Sequence, residues 1–399
     1  MVNKLIKKDK IQRDQENIFL HGHYQRNRIL LITLGIWPES PLWLTITTQC
    51  LLGLSTITIL IPQYAFLIRV CHNLESLVTA MVEQLTVAIA YIKFYYCGTG
   101  KEWMQTMINS VKEDWGEVDD SLVETLHIYA KKGYMRTTIY MATLYSITII
   151  YCGSPLKSPI LDVLYPLNHS RPRFFPLQVD YSIYGINAND YFITVLMHCF
   201  ITVMVVVHFL VTIDTFISIM VLHCCGVFAV VGDMLQQIQA DCSPREQYEI
   251  LCNGIRKHRR AIALAETIET SFTMMYGFVV FFTMVLMSCG LLQLIMKIDQ
   301  PTEIMRGGSF DLASMLHLFF ITLQGQELYD HSSELLEKIF SCNWPGMSLK
   351  AKQLISIMLM RSIKPMQMTA AKFFPLNIES FGKVLKTSFS VFTMMLSSR

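Results

Sequence analysis

Apolar residues gather along the chain in seven stretches of about the length that a helix needs to cross a bilayer. The fourth stretch keeps its helical pattern for about twice that length, so we expect its inner end to continue beyond the membrane. The seven predicted spans are Trp43–Ile61, Ser76–Tyr96, Thr137–Cys152, Tyr191–Gly232, Ser271–Met296, Phe310–Gln326 and Leu376–Leu396. The pattern therefore predicts an all-α protein with seven transmembrane helices.

The seventh span differs from the others because its polar residues recur every three or four positions. This spacing aligns them along one side of a helix, in a stripe opposite a nearly continuous apolar face. The residues of the polar stripe are Glu379, Lys383, Lys386, Ser390, Thr393 and Ser397. Lipid cannot satisfy such a stripe, so it must face protein or water.

Two interpretations of the polar stripe remain open from periodicity alone. Hydroxyl-bearing side chains can join neighbouring helices in a seam, or several copies of the helix can surround a water-filled pore. The charges favour water, because Lys383 and Lys386 lie towards the predicted cytosolic end, and Glu379 is placed to pair with Lys383. Met394, beside the stripe in the outer half, could then close a pore by excluding water.

The basic residues outside the spans lie mostly on one side of the predicted membrane. Twenty-three fall in the N-terminal tail and the cytoplasmic connections, against seven on the opposite side. Because cytoplasmic loops carry the excess of Lys and Arg, the N-terminus is predicted inside and the C-terminus outside. The sequon Asn168–Ser170 falls in a connection that this orientation makes external, so Asn168 is a candidate glycosylation site. This topology is the inverse of that of a G-protein-coupled receptor.

Two predicted cytoplasmic connections have helical patterns of their own. Residues 236–269 are interrupted by a turn at Cys242–Pro244, and residues 326–361 are interrupted at Asn343–Gly346, where Pro and Gly end a helix. Together with the inner end of the fourth span, they are expected to pack into a cytosolic bundle. Asp214 in the fourth span is costly within a bilayer, so we expect it near the inner interface or paired with a neighbouring helix.

The composition and the absence of certain motifs exclude several classes of function. The chain is 52% hydrophobic and 16% charged, its mean hydropathy is +0.38, and its net charge of +2 gives no reason to expect a nucleic-acid partner. The eleven cysteines have no metal-ligand spacing. No phosphate-binding loop, nucleophile elbow or carboxylate cluster is present in the sequence. We therefore predict a membrane protein that is not an enzyme, without catalytic residues, cofactor or bound metal.

Three C-terminal segments resemble the signature of the insect odorant receptor family. They are "CNWPG" (Cys342–Gly346), "MRSIKPMQMTAAKFFPL" (Met360–Leu376) and "SFGKVLKTSFSVFTMML" (Ser380–Leu396), and a weaker likeness lies in "LCNGIRKHRRAI" (Leu251–Ile262). The resemblance implies a seven-helix subunit of a tetrameric ligand-gated cation channel in the plasma membrane of sensory neurons. A tuning subunit of this family binds small volatile molecules and assembles with a co-receptor.

The resemblance also implies a division of the chain and positions for its sites. The implied segments are a cytosolic N-terminal segment (1–42), six transmembrane helices with a ligand-binding outer half and cytosolic helical extensions (43–325), cytosolic anchor helices (326–375) and a pore-lining seventh helix (376–399). The pore face and outer gate fall at Ser390, Met394, Ser397 and Ser398. Carried over by depth alone, the ligand-binding positions are Met81, Gln84, Tyr145, His198, Thr202 and Phe319.

Other classes share part of this pattern. A gustatory-type channel subunit would have the same architecture with tastant ligands and no co-receptor, but the long C-terminal match favours the odorant branch. The charge distribution disfavours a G-protein-coupled receptor, and the lack of a duplicated half disfavours a transporter. Arg399 at an outer pore mouth would repel cations, so poor conduction is expected from a homotetramer.

Overall fold

The structure, a computed structural model, describes residues 18–117, 120–166, 171–238 and 242–397. It is all-α, as predicted, apart from one short antiparallel hairpin of β1 (Thr369–Ala370) and β2 (Phe374–Pro375). The helices are α1 (Gln25–Thr33), α2 (Leu42–Val70), α3 (Leu74–Thr99), α4 (Lys101–Glu117), α5 (Asp120–Gly153), α6 (Lys157–Leu164), α7 (Phe192–Gln236), α8 (Pro244–Met296), α9 (Pro301–Ser341), α10 (Leu349–Ser362) and α11 (Ile378–Ser397). Single 3-10 turns occupy Gly22–Tyr24, Ser154–Leu156 and Tyr181–Tyr184.

Every predicted span is helical, and most helices extend beyond their predicted bounds. Five helical stretches in the described part of the chain are long and apolar enough to cross a membrane. They are Leu42–Val70, Ser76–Thr99, Val123–Leu164, Phe192–Gln236 and Pro244–Met296. The predicted sixth and seventh spans lie in α9 and α11, which are not among these five stretches. The first span was predicted to end at Ile61, but α2 continues through Pro62 to Val70.

Long helices carry the fold beyond the expected bilayer. Helices α7, α8 and α9 contain 45, 53 and 41 residues, whereas about 20 suffice for one crossing. The predicted turn at Cys242–Pro244 is confirmed: Ser243 caps α8 in a capping box with Glu246. The predicted break at Asn343–Gly346 separates α9 from α10. Helix α4, between the second and third spans, was not predicted.

Helix α7 forms the centre of the bundle. It packs against α3, α5, α8 and α9, and every residue from Phe209 to Phe228 is buried. A helix that is apolar around its whole circumference is stable where protein or lipid encloses it. The sequence of α7, which runs almost without charge from Phe192 to Gly232, is therefore compatible with the central position, where neighbouring helices enclose its middle part.

His258 lies in the part of α8 that precedes the predicted span. Its ring is 5% exposed and lies 6.0 Å from the ring of Phe228, measured between centroids. Burial, with a smaller contribution from the charge of Arg361, lowers the pKa of His258 to about 4. Folding therefore requires this histidine to be neutral.

This requirement predicts a loss of stability in acid. The unfolded chain binds a proton at His258 below about pH 6.5, whereas the folded chain binds one only below about pH 4, so stability falls as the pH drops across that interval. The variant His258→Leu should avoid up to about 3 kcal/mol of this loss. Thermal unfolding of the purified unaltered protein and of His258→Leu at about pH 7 and about pH 4.5 measures the stability that each loses in acid. The variant His21→Leu, at an exposed histidine, is the control. Equal losses in the unaltered protein and His258→Leu would contradict the assignment.

Candidate functional site

A cavity of about 120 Å³ lies among α2, α3, α5, α7, α8 and α9. One water molecule needs about 10–15 Å³ on this scale, so the cavity has room for a small organic molecule. Its apolar lining includes Val87, Ile89, Leu144, Ile147, Leu177, Val203, Val206, Val207, Leu210, Leu286, Phe310 and Ala313. Its polar lining consists of Gln63, Glu83, Thr86, Thr148, Tyr151, Thr202, Thr283, Ser309, Ser314 and His317. A mostly apolar wall with a few polar groups is typical of a ligand pocket.

One of the six ligand-binding positions expected from the resemblance lines this cavity. Thr202 is buried, and its hydroxyl donates a 3.4 Å hydrogen bond to the carbonyl of Ser55. Met81 and Phe319 have exposed side chains, and Phe319 lies on an outer groove between α5 and α9. The depth of a residue in the predicted membrane was therefore not enough to identify the residues that line the cavity.

The remaining three expected positions lie near the cavity without lining it. Gln84 is half-buried on α3, one residue after the cavity-lining Glu83. The hydroxyl of Tyr145 lies 2.7 Å from Nδ1 of His208. His198 accepts or donates hydrogen bonds at both ring nitrogens, 2.6 Å from the hydroxyl of Tyr181 and 3.0 Å from that of Thr58. The two contacts of His198 join α2, α7 and the turn before α7.

One end of the cavity rests on a buried charged cluster. Lys93 on α3 forms an ion pair with Asp214 on α7, and both side chains are fully buried. Lys93 Nζ also lies 2.7 Å from Nε2 of the cavity-lining His317 on α9, and Tyr140 on α5 donates a 2.8 Å hydrogen bond to Asp214. The expectation that Asp214 pairs with a neighbouring helix is confirmed. This cluster connects four helices at one end of the cavity.

The opposite end of the cavity lies beneath the connection between α6 and α7. There Oε2 of Glu83 accepts hydrogen bonds from the backbone N–H of Gln178 at 2.9 Å and from Nε2 of Gln63 at 3.4 Å. Arg306 lines a narrow neighbouring pocket together with Glu83, and its guanidinium donates to the carbonyl of Phe175 at 3.1 Å. The sequence reasoning did not select Gln63, Glu83 or Arg306.

Helix α11 packs through one face and leaves the other uncovered by the described part of the chain. Val384, Ser388 and Phe392 are buried, and Ser388 exchanges hydrogen bonds with α8: Ser288 Oγ donates to its carbonyl at 3.0 Å, and its own hydroxyl donates to the carbonyl of Met284 at 3.2 Å. The polar stripe faces outward. Its described members beyond the first turn, Lys383, Lys386, Ser390, Thr393 and Ser397, are all exposed, as is the neighbouring Met394.

The first turn of α11 contains the ion pair that the sequence predicts. Glu379 and Lys383 form the expected ion pair, with 2.6 Å between Oε1 and Nζ. The expected pore position Ser398 and the sequon at Asn168 lie outside the described residues.

A hairpin connects α10 to α11. Its turn residues Ala371 and Lys372 have positive φ angles, and their N–H groups donate to the carbonyl and the hydroxyl of Thr273 at 2.7 and 2.9 Å. Glu269 accepts the N–H of Thr369 at 2.8 Å and also binds the hydroxyl of that residue. The hairpin is therefore fixed to α8, so α11 begins from a defined position.

The fold defines a polytopic helical membrane protein with an internal, largely apolar cavity. Residues 73–389 match the family model described as "7tm Odorant receptor". Because this match covers most of the chain, the protein belongs to the odorant receptor family, which is a family of membrane receptors and not of enzymes.

Two insect relatives and one solved receptor illustrate the similarity. Odorant receptor 10 of Aedes albopictus is 24% identical over 141 residues, covering 35% of this chain and 37% of its own. The odorant receptor coreceptor of Aedes aegypti is 28% identical over 83 residues, covering 21% and 17%. The matched segments thus span less than two fifths of the length of these relatives.

The same fold occurs in the insect olfactory receptor OR5 from Machilis hrabei. The two chains superpose with a TM-score of 0.74 at 12% identity, covering 97% of this chain and 100% of that one. The structure of that receptor in complex with eugenol gives a TM-score of 0.73, with 94% and 97% coverage. The likeness confirms the all-α receptor fold.

Proposed function

We propose that this protein is a tuning odorant receptor subunit. A small volatile molecule binds in the cavity and opens a non-selective cation pathway along the polar stripe of α11. The outward-facing stripe is the observation that carries the proposal, because a polar helix face within a membrane needs water or protein against it. Four copies of α11 around a common axis would supply that water-filled path, with Ser390, Ser397 and Ser398 lining it and Met394 at its narrow outer part.

The charge distribution supports an orientation with the N-terminus in the cytosol. The sequon at Asn168 is then external, and the C-terminal end of α11 lies at the outer mouth of the pore. Exposed apolar side chains along α2, such as Leu42, Leu51 and Ile68, support direct contact with membrane lipid. The proposed location is the plasma membrane of sensory neurons. The proposed role is to bind odorants and conduct cations, without catalysis.

Assembly with a co-receptor completes the proposed channel. Similarity to an insect odorant receptor coreceptor supports a partner of the same fold, so the two chains could share one pore. The complex of OR5 from Machilis hrabei with eugenol supports a small aromatic or aliphatic odorant as the ligand. The proposed unit is a heterotetramer of this chain and co-receptor subunits.

Current recording tests this proposal directly. Cells expressing this chain, the co-receptor or both are exposed to a panel of volatile molecules, and the amount of each chain at the cell surface is measured in parallel. We expect ligand-evoked cation current from the pair, and none from either chain alone. Absence of current from a pair that reaches the surface, or a current abolished by blocking G proteins, would contradict the proposal.

A further inference from the structure

Two buried oxygen atoms at the Glu83 end of the cavity accept no hydrogen bond from any residue that the structure describes. They are Oε1 of Gln63 and Oε1 of Glu83. Both residues line the cavity, and they are only 2% and 6% exposed. An unpaired buried acceptor is unfavourable, more so when it belongs to a carboxylate. A ligand that donates a hydrogen bond at this end would therefore relieve this cost.

The hydrogen bonds around these atoms fix which atom faces the ligand. The backbone N–H of Gln178 donates to Oε2 of Glu83, and Nε2 of Gln63 donates to the same oxygen. Reversing the amide of Gln63 would place its oxygen against that carboxylate oxygen, so the network assigns the amide orientation. With Glu83 ionised, a state favoured by these two N–H donors and by the nearby Arg306, both atoms left over are acceptors.

Five hydroxyl groups of the lining add further acceptors. Their protons are already donated to backbone carbonyls, so their oxygen lone pairs are what they offer to a ligand. The donor and acceptor pairs are Thr86 to Val82, Thr148 to Leu144, Thr202 to Ser55, Ser309 to Arg306 and Ser314 to Phe310. The lining hydroxyl of Thr283 differs, because it is buried and has no hydrogen-bond partner among the described residues. At the far end, His317 is engaged through Nε2 with Lys93. Around Glu83, the lining thus has more acceptors than donors.

The charge near Glu83 limits what kind of donor fits. Arg306 shares the narrow pocket beside Glu83, so a positive charge is already close to this carboxylate. A second cation, such as an alkylammonium ligand, would be repelled by the guanidinium and would also have to shed its water. A neutral hydroxyl carries a donor at a smaller desolvation cost, and the apolar wall accommodates its carbon skeleton.

We infer that the receptor selects a neutral alcohol or phenol, whose hydroxyl donates to Oε1 of Glu83 while its skeleton fills the apolar part of the cavity. This inference rests on the proposed function, because it assigns the ligand class of the same cavity. It makes Glu83, on α3, the residue that determines specificity. Gln63 positions the carboxylate and offers a second acceptor beside it.

The test compares volatile molecules that share one carbon skeleton. Each set contains an alcohol or phenol, its methyl ether, and the ketone or aldehyde of similar size, applied to cells that express the receptor with its co-receptor. The alcohol should activate at a concentration about tenfold or more below that of its ether and carbonyl analogues, since one hydrogen bond to a charged group accounts for at least that factor. This comparison uses the unaltered receptor and does not depend on any variant folding.

The variant Glu83→Gln then tests the residue itself. The N–H of Gln178 holds the oxygen of the new amide, so the amide nitrogen would face the ligand as a donor. The ratio of the ketone's to the alcohol's activating concentration should fall at least severalfold, because the alcohol becomes less potent and the ketone more potent. Glu102→Gln, at an exposed position on α4, is the matched control and should keep the original preference.

The outcomes separate the two levels of the proposal. Equal potency of alcohol and ether in the unaltered receptor would overturn the inferred ligand class while leaving the channel function intact. A preference that survives Glu83→Gln unchanged would overturn the role of Glu83. Absence of current from every compound, with both chains at the surface, would overturn the proposed function and the inference with it.

Discussion

Replacing Lys93 by methionine, Lys93→Met, is expected to destabilise the receptor by about 3–5 kcal/mol. Lys93 and Asp214 are both fully buried and form an ion pair between α3 and α7. Without the ammonium group, the carboxylate of Asp214 keeps its hydrogen bond from Tyr140 and its proximity to His317, but its charge is largely uncompensated. The variant should therefore show a lower melting temperature in detergent and less protein at the cell surface.

A second substitution separates the loss of charge balance from the loss of packing. Adding Asp214→Asn to Lys93→Met removes the uncompensated charge, and the amide oxygen can still accept the hydrogen bond from Tyr140. The double variant should recover a large part of the melting temperature lost by the single variant. If Lys93→Met melted like the unaltered protein, or the double variant were no more stable than the single one, the ion pair would not hold these helices together.

The second large effect is expected from Gly325→Ala in α9. A Cβ at this position would overlap the carbonyl oxygen of Leu376 and lie 2.9 Å from the Cβ of Leu376. Because the clash involves the backbone immediately before α11, a side-chain rotation cannot relieve it. Such overpacking costs about 1–3 kcal/mol and should displace the start of α11, so ligand-evoked current should be lost or strongly reduced.

Another helical glycine provides the matched control for this substitution. Gly254 in α8 is buried, but no heavy atom of the described residues outside the adjoining backbone of α8 lies within 4 Å of the position that its Cβ would take. Gly254→Ala should therefore be tolerated, and it should gain about 0.5–1 kcal/mol from the better helix propensity of alanine. Normal currents in Gly325→Ala, or equal losses in both variants, would show that close contact at Leu376 does not position α11.

Helix type and position were predictable because they depend on local patterns. Apolar stretches of membrane length marked helices at all seven predicted spans, and the excess length of the fourth stretch indicated that α7 would be longer than one crossing requires. The polar residues of the last span indicated an amphipathic helix, and the structure buries Val384, Ser388 and Phe392 on its opposite face. Helix α4 was missed because it is amphipathic and lies between two stronger apolar signals.

The cavity lining was not predictable, because it depends on how each helix is rotated in the bundle. Gln84 was expected from its depth, yet Glu83 faces the cavity, and neighbouring residues on a helix point about 100° apart. Tyr145 was likewise expected, whereas Leu144 and Thr148 line the wall. Rotation is set by contacts among six helices, and a single sequence contains no direct record of those contacts.

The proposed channel requires water to reach the polar stripe of α11, and the variant Met394→Cys measures this access directly. The side chain of Met394 is 64% exposed, and it lies beside the polar stripe on the outward face of α11. The variant Met394→Cys, expressed with the co-receptor, is treated from outside with a membrane-impermeant thiol reagent, with and without an activating volatile molecule found in the recordings. Unaltered receptor, with its exposed Cys50 and Cys71, sets the background.

The buried face of the same helix supplies the control. Ser388 is 1% exposed and packs against α8, so Ser388→Cys should stay unlabelled in both conditions. We expect Met394→Cys to be modified in the presence of the activating molecule and much more slowly in its absence. Modification of Met394→Cys at the same rate in both conditions, or labelling of Ser388→Cys instead, would contradict a ligand-opened water path along the polar stripe of α11.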